Sequence, residues 1–189
     1  WARLSNFWSS NSFGAFFIPN IGDEVVLGFL NNDPTYPIIL GSMYSSANKA
    51  PLEIDKENPI QLIQTKSGIK LEMDDKNKVV TVTTPGANKM ILSDQDKSIN
   101  IADQNGNKIV LSSSGILIES SKEITLKSGT DTKVTAGLNA NITAGTNFSG
   151  KGVNVQFNAD ASFTAKGNAS AELSAAGQTA VKGAIVMIN

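Results

Sequence analysis

The segment Asn88-Lys89-Met90-Ile91-Leu92-Ser93 returns, almost residue for residue, as Asn107-Lys108-Ile109-Val110-Leu111-Ser112. In both copies the two flanking apolar residues stand two apart, the spacing that puts side chains on one face of a strand. Outward from these copies the same pairing recurs as Ile69/Leu71, Val80/Val82, Met90/Leu92, Ile99/Ile101, Ile109/Leu111, Ile116/Ile118 and Ile124/Leu126, with first members 11, 10, 9, 10, 7 and 8 residues apart. Turn formers fill the gaps: Asp74-Asp75-Lys76-Asn77, Pro85-Gly86, Asp94-Gln95-Asp96 and Asn105-Gly106, the last a strong tight-turn dipeptide. Farther on, Val134-Thr135-Ala136-Gly137 repeats as Ile142-Thr143-Ala144-Gly145 after eight residues. From residue 60 the chain reads as a repeat array of short strands.

Toward the C-terminus the apolar side thins to Ala140, Ala144, Ala159, Ala161, Ala165, Ala169, Ala171 and Ala175. Alanine is the best helix former. Yet Ala159, Ala161, Phe163 and Ala165 keep the two-residue period, and Gly167 and Gly177 interrupt the run, so strands are expected here too.

A different module precedes the array. Nine of the twelve aromatics fall at or before Tyr44, and all six prolines lie at or before Pro85. Phe16-Phe17-Ile18, Glu24 to Leu30 and Ile38 to Tyr44 read as short strands separated by turns at Pro19 to Gly22 and Asn31 to Pro34. They fit part of a small β-barrel, but about 45 residues are few for an autonomous core. The chain opens on Trp1 without an initiator Met, so the expectation is an excised fragment with further barrel strands upstream. The domain reading is a partial barrel over 1–48, a linker over 49–59 and the repetitive array over 60–189.

Composition removes whole classes of chemistry. The chain has no Cys and no His, which excludes Cys/His zinc sites, thiol nucleophiles, Ser-His-Asp triads and disulfides. Its formal net charge of −1 offers no basic field for nucleic acid or an anionic membrane. No run of about 18 apolar residues is present, and no basic-then-apolar leader, so a soluble chain is expected.

A row of strands with one apolar face needs a cover. No amphipathic helix is available, and each Val, Ile or Leu left in water forgoes roughly 1.5–3 kcal/mol. A self-coiled solenoid needs about 20–30 residues per turn, more than the units seen here. The short units suit several copies around one axis, apolar faces inward, and three walls make the smallest closed prism. The expected core of that trimer is Ile69, Leu71, Val80, Val82, Ile99, Ile101, Ile109, Leu111, Ile116, Ile118, Ile124 and Leu126. The last residues, Ile185, Val186, Met187, Ile188 and Asn189, are apolar where chain ends are usually polar. A blunt, covered tip is expected there.

Trp1 to Ser5, Gly14 to Pro19, Gly22 to Phe29, and Asp33-Pro34 through Pro37 to Ser42 resemble, in order and spacing, the VgrG-type central spikes of contractile injection systems, found in type VI secretion, extracellular injection particles and contractile phage tails. Asn20 after Pro19 and Asn31-Asn32 before Asp33 depart from the common pattern. The resemblance implies an all-β fold: an oligonucleotide/oligosaccharide-binding (OB) barrel followed by an elongated, intertwined trimeric β-helix or β-prism. It implies a homotrimeric, non-enzymatic, membrane-puncturing spike that acts outside the producing cell as part of a secreted or phage-tail-like particle. Its implied partners are a PAAR-type cap at the tip, baseplate, hub and inner-tube proteins, the target envelope as a mechanical partner, and effectors as cargo. Some relatives clamp iron at the tip through His-x-His motifs; with no histidine, this chain cannot. The competing reading is a fibrous adhesin or tail-fibre shaft that binds cell-surface glycans.

Weaker motifs yield to plainer readings. Gly145 to Lys151 follows a phosphate-binding loop until Gly152 stands where Ser or Thr should. Asp94-Gln95-Asp96 opens like a calcium loop, but Ile99 replaces its turn glycine. Asp23/Glu24 and Asp74/Asp75 read as surface charge, and the asparagine sequons at Asn141, Asn147 and Asn168 as chance. Arg3 is the only basic residue in the first 48, so the barrel aromatics read as core rather than as a nucleic-acid track. No catalytic residue, metal ligand or cofactor is assigned.

Overall fold

The computed structural model describes residues 1–188; Asn189, the last residue of the expected tip, lies outside the described residues. The chain divides into two compact units, Trp1–Ser128 and Gly129–Asn189.

The first unit holds every strand described. β1 (Arg3–Leu4), β2 (Glu24–Phe29) and β3 (Pro37–Met43) form a small sheet in the order β1-β3-β2. β2 and β3 run antiparallel with a bulge at Val26/Leu27, and β1 joins β3 in parallel. A short 3-10 turn, Leu30–Asn32, links β2 to β3 with Asn31 and Asn32 in the left-handed region that asparagine tolerates. Asp33 then accepts hydrogen bonds from the Thr35 amide (2.9 Å) and hydroxyl (2.7 Å), closing the turn. Phe16-Phe17-Ile18, expected as a strand, joins no ladder. Three strands cannot close a barrel, and Trp1, Phe7, Phe16 and Tyr44 all stand exposed instead of forming the expected core.

The second sheet is an antiparallel meander of seven strands, each of five residues: β4 (Ile60–Gln64), β5 (Lys70–Asp74), β6 (Val79–Thr83), β7 (Lys89–Ser93), β8 (Ser98–Ala102), β9 (Lys108–Ser112) and β10 (Gly115–Glu119). Each strand pairs only with its sequence neighbours, and short turns force that topology. The turns are tied by their own side chains. Asp74 accepts from the Asn77 amide (3.0 Å) and side chain (2.7 Å), and Asp103 accepts from the amides of Asn105 (2.8 Å) and Asn107 (2.9 Å). Gly106 sits at φ +86°, where a side chain would be strained.

In the second unit the backbone forms no strand among the described residues. Its order is of another kind. Two-residue bends fall at 129–130, 137–138, 145–146, 153–154, 160–161, 168–169, 176–177 and 184–185, an eight-residue period with one seven-residue step. Gly129, Gly137, Gly145 and Gly177 lie in these bends. The two-residue apolar period is kept between them, but a single chain folded every eight residues provides no neighbouring strand to pair with.

A folded monomer of 19.9 kDa exposes about 8,700 Å². This chain exposes 17621 Å², about twice that, and Ser93 is the only buried residue among those described. One copy builds a scaffold without building a core.

Candidate assembly surface

Residues directly opposite one another in an antiparallel ladder share a face. In the meander this rule generates two unbroken rows on one face. One runs Ile63, Leu71, Val82, Met90, Ile101, Ile109, Ile118; the other runs Gln61, Met73, Val80, Leu92, Ile99, Leu111, Ile116. Only Gln61, on the first strand, breaks the apolar surface. Most of it is open in the single chain: Leu71, Met73 and Val82 are half-buried, and the other apolar members of the two rows are exposed, up to 72% at Ile116.

The opposite face differs. Its central row alternates Leu62, Glu72, Thr81, Ile91, Asn100, Val110 and Leu117. Its polar groups pair among themselves: Lys70 with Glu72 at 2.9 Å, Asn100 with Ser98 at 3.0 Å, and Lys108 with its direct cross-strand neighbour Glu119 at 3.1 Å. Most of these side chains are half-buried. The mixed face is self-satisfied and the apolar face is open to water, the reverse of the usual one-sided sheet.

Along part of the apolar face the sheet and the segment that follows β10 shape an open groove of about 570 Å³, floored by Val82, Met90, Ile101, Ile109 and Ile118 and walled by Ile124. A surface this apolar and contiguous marks an interaction site.

Of the expected core residues, Leu71, Val80, Val82, Ile99, Ile101, Ile109, Leu111, Ile116 and Ile118 lie together on this face. Ile69 lies in the β4–β5 turn, two residues from Leu71, and Ile124 and Leu126 follow β10. The ladder adds Ile63, Met73, Met90 and Leu92. Met90/Leu92 was visible as a pair in the repeat, whereas Met73 stands among charges in Lys70-Leu71-Glu72-Met73-Asp74 and announces no pair of its own. At the far end of the second unit Ile185, Met187 and Ile188 are fully or largely exposed and Val186 is about half exposed.

Aspartates, the candidates Asp23 and Asp74 among them, have turn duties. Hydrogen bonds from the Asn107 side chain and amide, and from Asn105, bring the Asp103 carboxyl down to about 2. The Asn77 amide and side chain lower Asp74, and the Thr35 amide and hydroxyl lower Asp33. Asp23 accepts from the Asn20 amide at 2.7 Å. Asp94 to Lys97 form the turn between β7 and β8, and no helix follows Gly145 to Lys151.

The small N-terminal sheet carries the family signal. Residues 1–44 match the type VI secretion system/phage-baseplate injector OB domain. Over this stretch the chain is similar to VgrG-type proteins. It is 34% identical over 67 residues to the type VI secretion system spike protein VgrG5 of Pseudomonas aeruginosa, covering 35% of this chain and 8% of that protein. With the spike protein VgrG1a of the same organism it shares 37% identity over 70 residues, 37% of this chain and 10% of the relative. The actin cross-linking toxin VgrG1 of Vibrio cholerae is 36% identical over 67 residues, 35% of this chain and 6% of the toxin. The matched stretch thus spans a tenth or less of each of these VgrG relatives. The fold of the described residues is all-β, and the matched segment is similar to part of relatives named as type VI secretion system spike proteins.

Proposed function

We propose that this chain is one wall of a homotrimeric, non-enzymatic spike in a contractile injection apparatus. In this reading 1–48 belong to the OB base, 49–59 link, and 60–189 form a β-helix or β-prism whose axis is lined by the two apolar rows. The observation that carries the proposal is that apolar face, which runs across all seven strands and stays largely exposed in the single chain. The doubled exposed area supports it, because a lone chain at that exposure cannot offset the entropy of ordering. Cross-chain pairing would give the eight-residue segments of the second unit the strand partners that a single copy lacks. Driven by a sheath, such a trimer would transmit load through interchain hydrogen bonds and a shared core, and would act outside the producing cell at a target envelope.

The end Ile185 to Asn189 would present three apolar chain ends as a blunt face for a PAAR-type cap, and the OB base would face hub, baseplate and inner-tube proteins. Light scattering tests the central claim. A mass of about 60 kDa, three times the 19.9 kDa chain, is expected at micromolar concentration, and a mass near 20 kDa overturns it. Removal of residues 185–189 should abolish capture of a cognate cap while leaving the trimer intact; undiminished capture overturns the tip assignment.

A further inference from the structure

The seven-stranded sheet has two lateral margins made of its turns. One carries 75–78, 94–97 and 113–114; the other carries 65–69, 84–88 and 103–107. Charges are distributed between them by strand level. Taking each strand with one flanking residue at either end, only β5, β7 and β8 carry charge at both ends, and in all three the ends are opposite in sign. β5 has Lys70 at one end and Asp74-Asp75 at the other. β7 has Lys89 and Asp94; β8 has Lys97 and Asp103, with its lysine on the margin that bears the aspartates of β5 and β7. Lys89, Asp94 and Lys97 are exposed and belong to none of the ion pairs formed among the described residues.

We infer that neighbouring copies of this chain meet margin to margin with strand levels in register, so that Lys89 of one copy faces Asp94 of the next and Asp103 faces Lys97. This rests on the trimer reading and adds to it the contact surface and its register. A contact between two different margins is heterologous, and such contacts close into a ring where the rotation between copies closes, here after three. Strand spacing of about 4.8 Å sets the levels, and the charges select among them. A slip by one strand in one direction sets Lys89 against Lys97 and Lys70 against Lys78. A slip in the other sets Lys89 against Lys78 and Asp103 against Asp94. Either slip replaces attraction with like-charge contacts, which excludes wrong registers more than it tightens the right one. The apolar rows alone would tolerate a slip, because every level offers Val, Ile, Leu or Met; the margins supply the discrimination.

The chain has no cysteine, which makes the test direct. In the full chain carrying Lys89→Cys and Asp94→Cys, the two sulfurs of one copy stand at opposite ends of β7, about 17 Å apart along the strand. A disulfide needs Cα atoms about 4.4–6.8 Å apart, so any bond formed with oxidised glutathione joins two copies. A covalent trimer on a non-reducing denaturing gel is expected. A trimer by light scattering that cross-links no more than the single-cysteine variants overturns the register alone, as does equal cross-linking of the slipped pair Lys89→Cys with Lys97→Cys. A monomer by light scattering for the unmodified chain overturns the trimer and the register with it. Charge exchange gives a second readout: Lys89→Asp or Asp94→Lys alone should weaken association about tenfold, and the two together should restore it. Equal weakening by the double variant refutes the pairing.

Discussion

Truncating one apolar row at its centre should weaken assembly by an amount the sheet itself predicts. Ile101, on β8, retains 43% of its surface in the single chain. Full burial of an isoleucine contributes about 1.5–3 kcal/mol, so burying the remaining fraction contributes about 0.6–1.3 kcal/mol per chain. In the proposed trimer three such side chains would be buried, so Ile101→Ala should cost about 2–4 kcal/mol per trimer, roughly a 30- to 1000-fold loss in the association constant. Leu117→Ala is the matched control: Leu117 is 46% exposed, but it lies on the mixed face. Sedimentation equilibrium across a dilution series reads the association constant, and far-UV circular dichroism checks that the strands persist. Ile101→Asp sharpens the contrast, since a carboxylate at 43% exposure is tolerated in a lone sheet while three facing one another in a dry axis are not; acidification should partly restore that variant. Equal losses for Ile101→Ala and Leu117→Ala, or none for either, would refute the assignment of the apolar face to the interior.

Gly106→Ala should lower stability by about 1–2 kcal/mol through its left-handed backbone alone, because the added methyl meets only Ser121 at an ordinary 3.8 Å; an unchanged melting temperature would refute the turn geometry. Gly41→Ala, with open space around it, should be nearly neutral in the same melt. Asp103 is depressed to about 2, so its turn is favoured above the ordinary carboxyl range and loses that support as pH falls from about 4 through 2; an NMR titration midpoint near 3.8 would contradict the asparagine clamp. Lys108→Ala should change stability by less than about 0.5 kcal/mol in a denaturant melt, because its partner Glu119 is half-exposed and screened.

The meander was legible because two independent signals agreed: apolar pairs two residues apart fixed which side chains share a face, and Asn/Asp/Gly turns fixed where each strand stops. β4 escaped for a physical reason. Ile60-Gln61-Leu62-Ile63 is apolar in both phases, so periodicity cannot say which side faces inward until Ile63 is seen opposite Leu71. β1 is only two residues long, too short to carry any period. In the second unit the period was readable from Val134 and Ile142, but pairing is a property of two strands, and a repeat of eight residues does not name its neighbour. The margin charges were invisible for a related cause. Lys89 and Asp94 are unremarkable residues in sequence and become opposite ends of one level only after the strands are drawn.

The two parts of the repeat array differ in what one copy can finish alone. In the meander every interior strand has both neighbours from its own chain, so its backbone donors and acceptors are satisfied locally and only its apolar face is left wanting. In the second unit no strand ladder forms among the described residues, and most of the large apolar side chains stay exposed. A trimer built from this chain would therefore rest on side-chain burial along the sheet and on cross-chain hydrogen bonding beyond it. Its stability could not be separated from protomer concentration, since the folded shaft would exist only where three chains meet. The meander, complete in its own ladders, is the natural place for that encounter to begin: it presents formed apolar rows before any interchain hydrogen bond exists, and closing hairpins costs less entropy than joining separate chains. The charged margins then act at the step where an error would propagate. A register fixed at β5, β7 and β8 would be in place before the later segments pair, and their large side chains, such as Phe148, Phe157 and Phe163, are sparse among Ala, Ser and Thr.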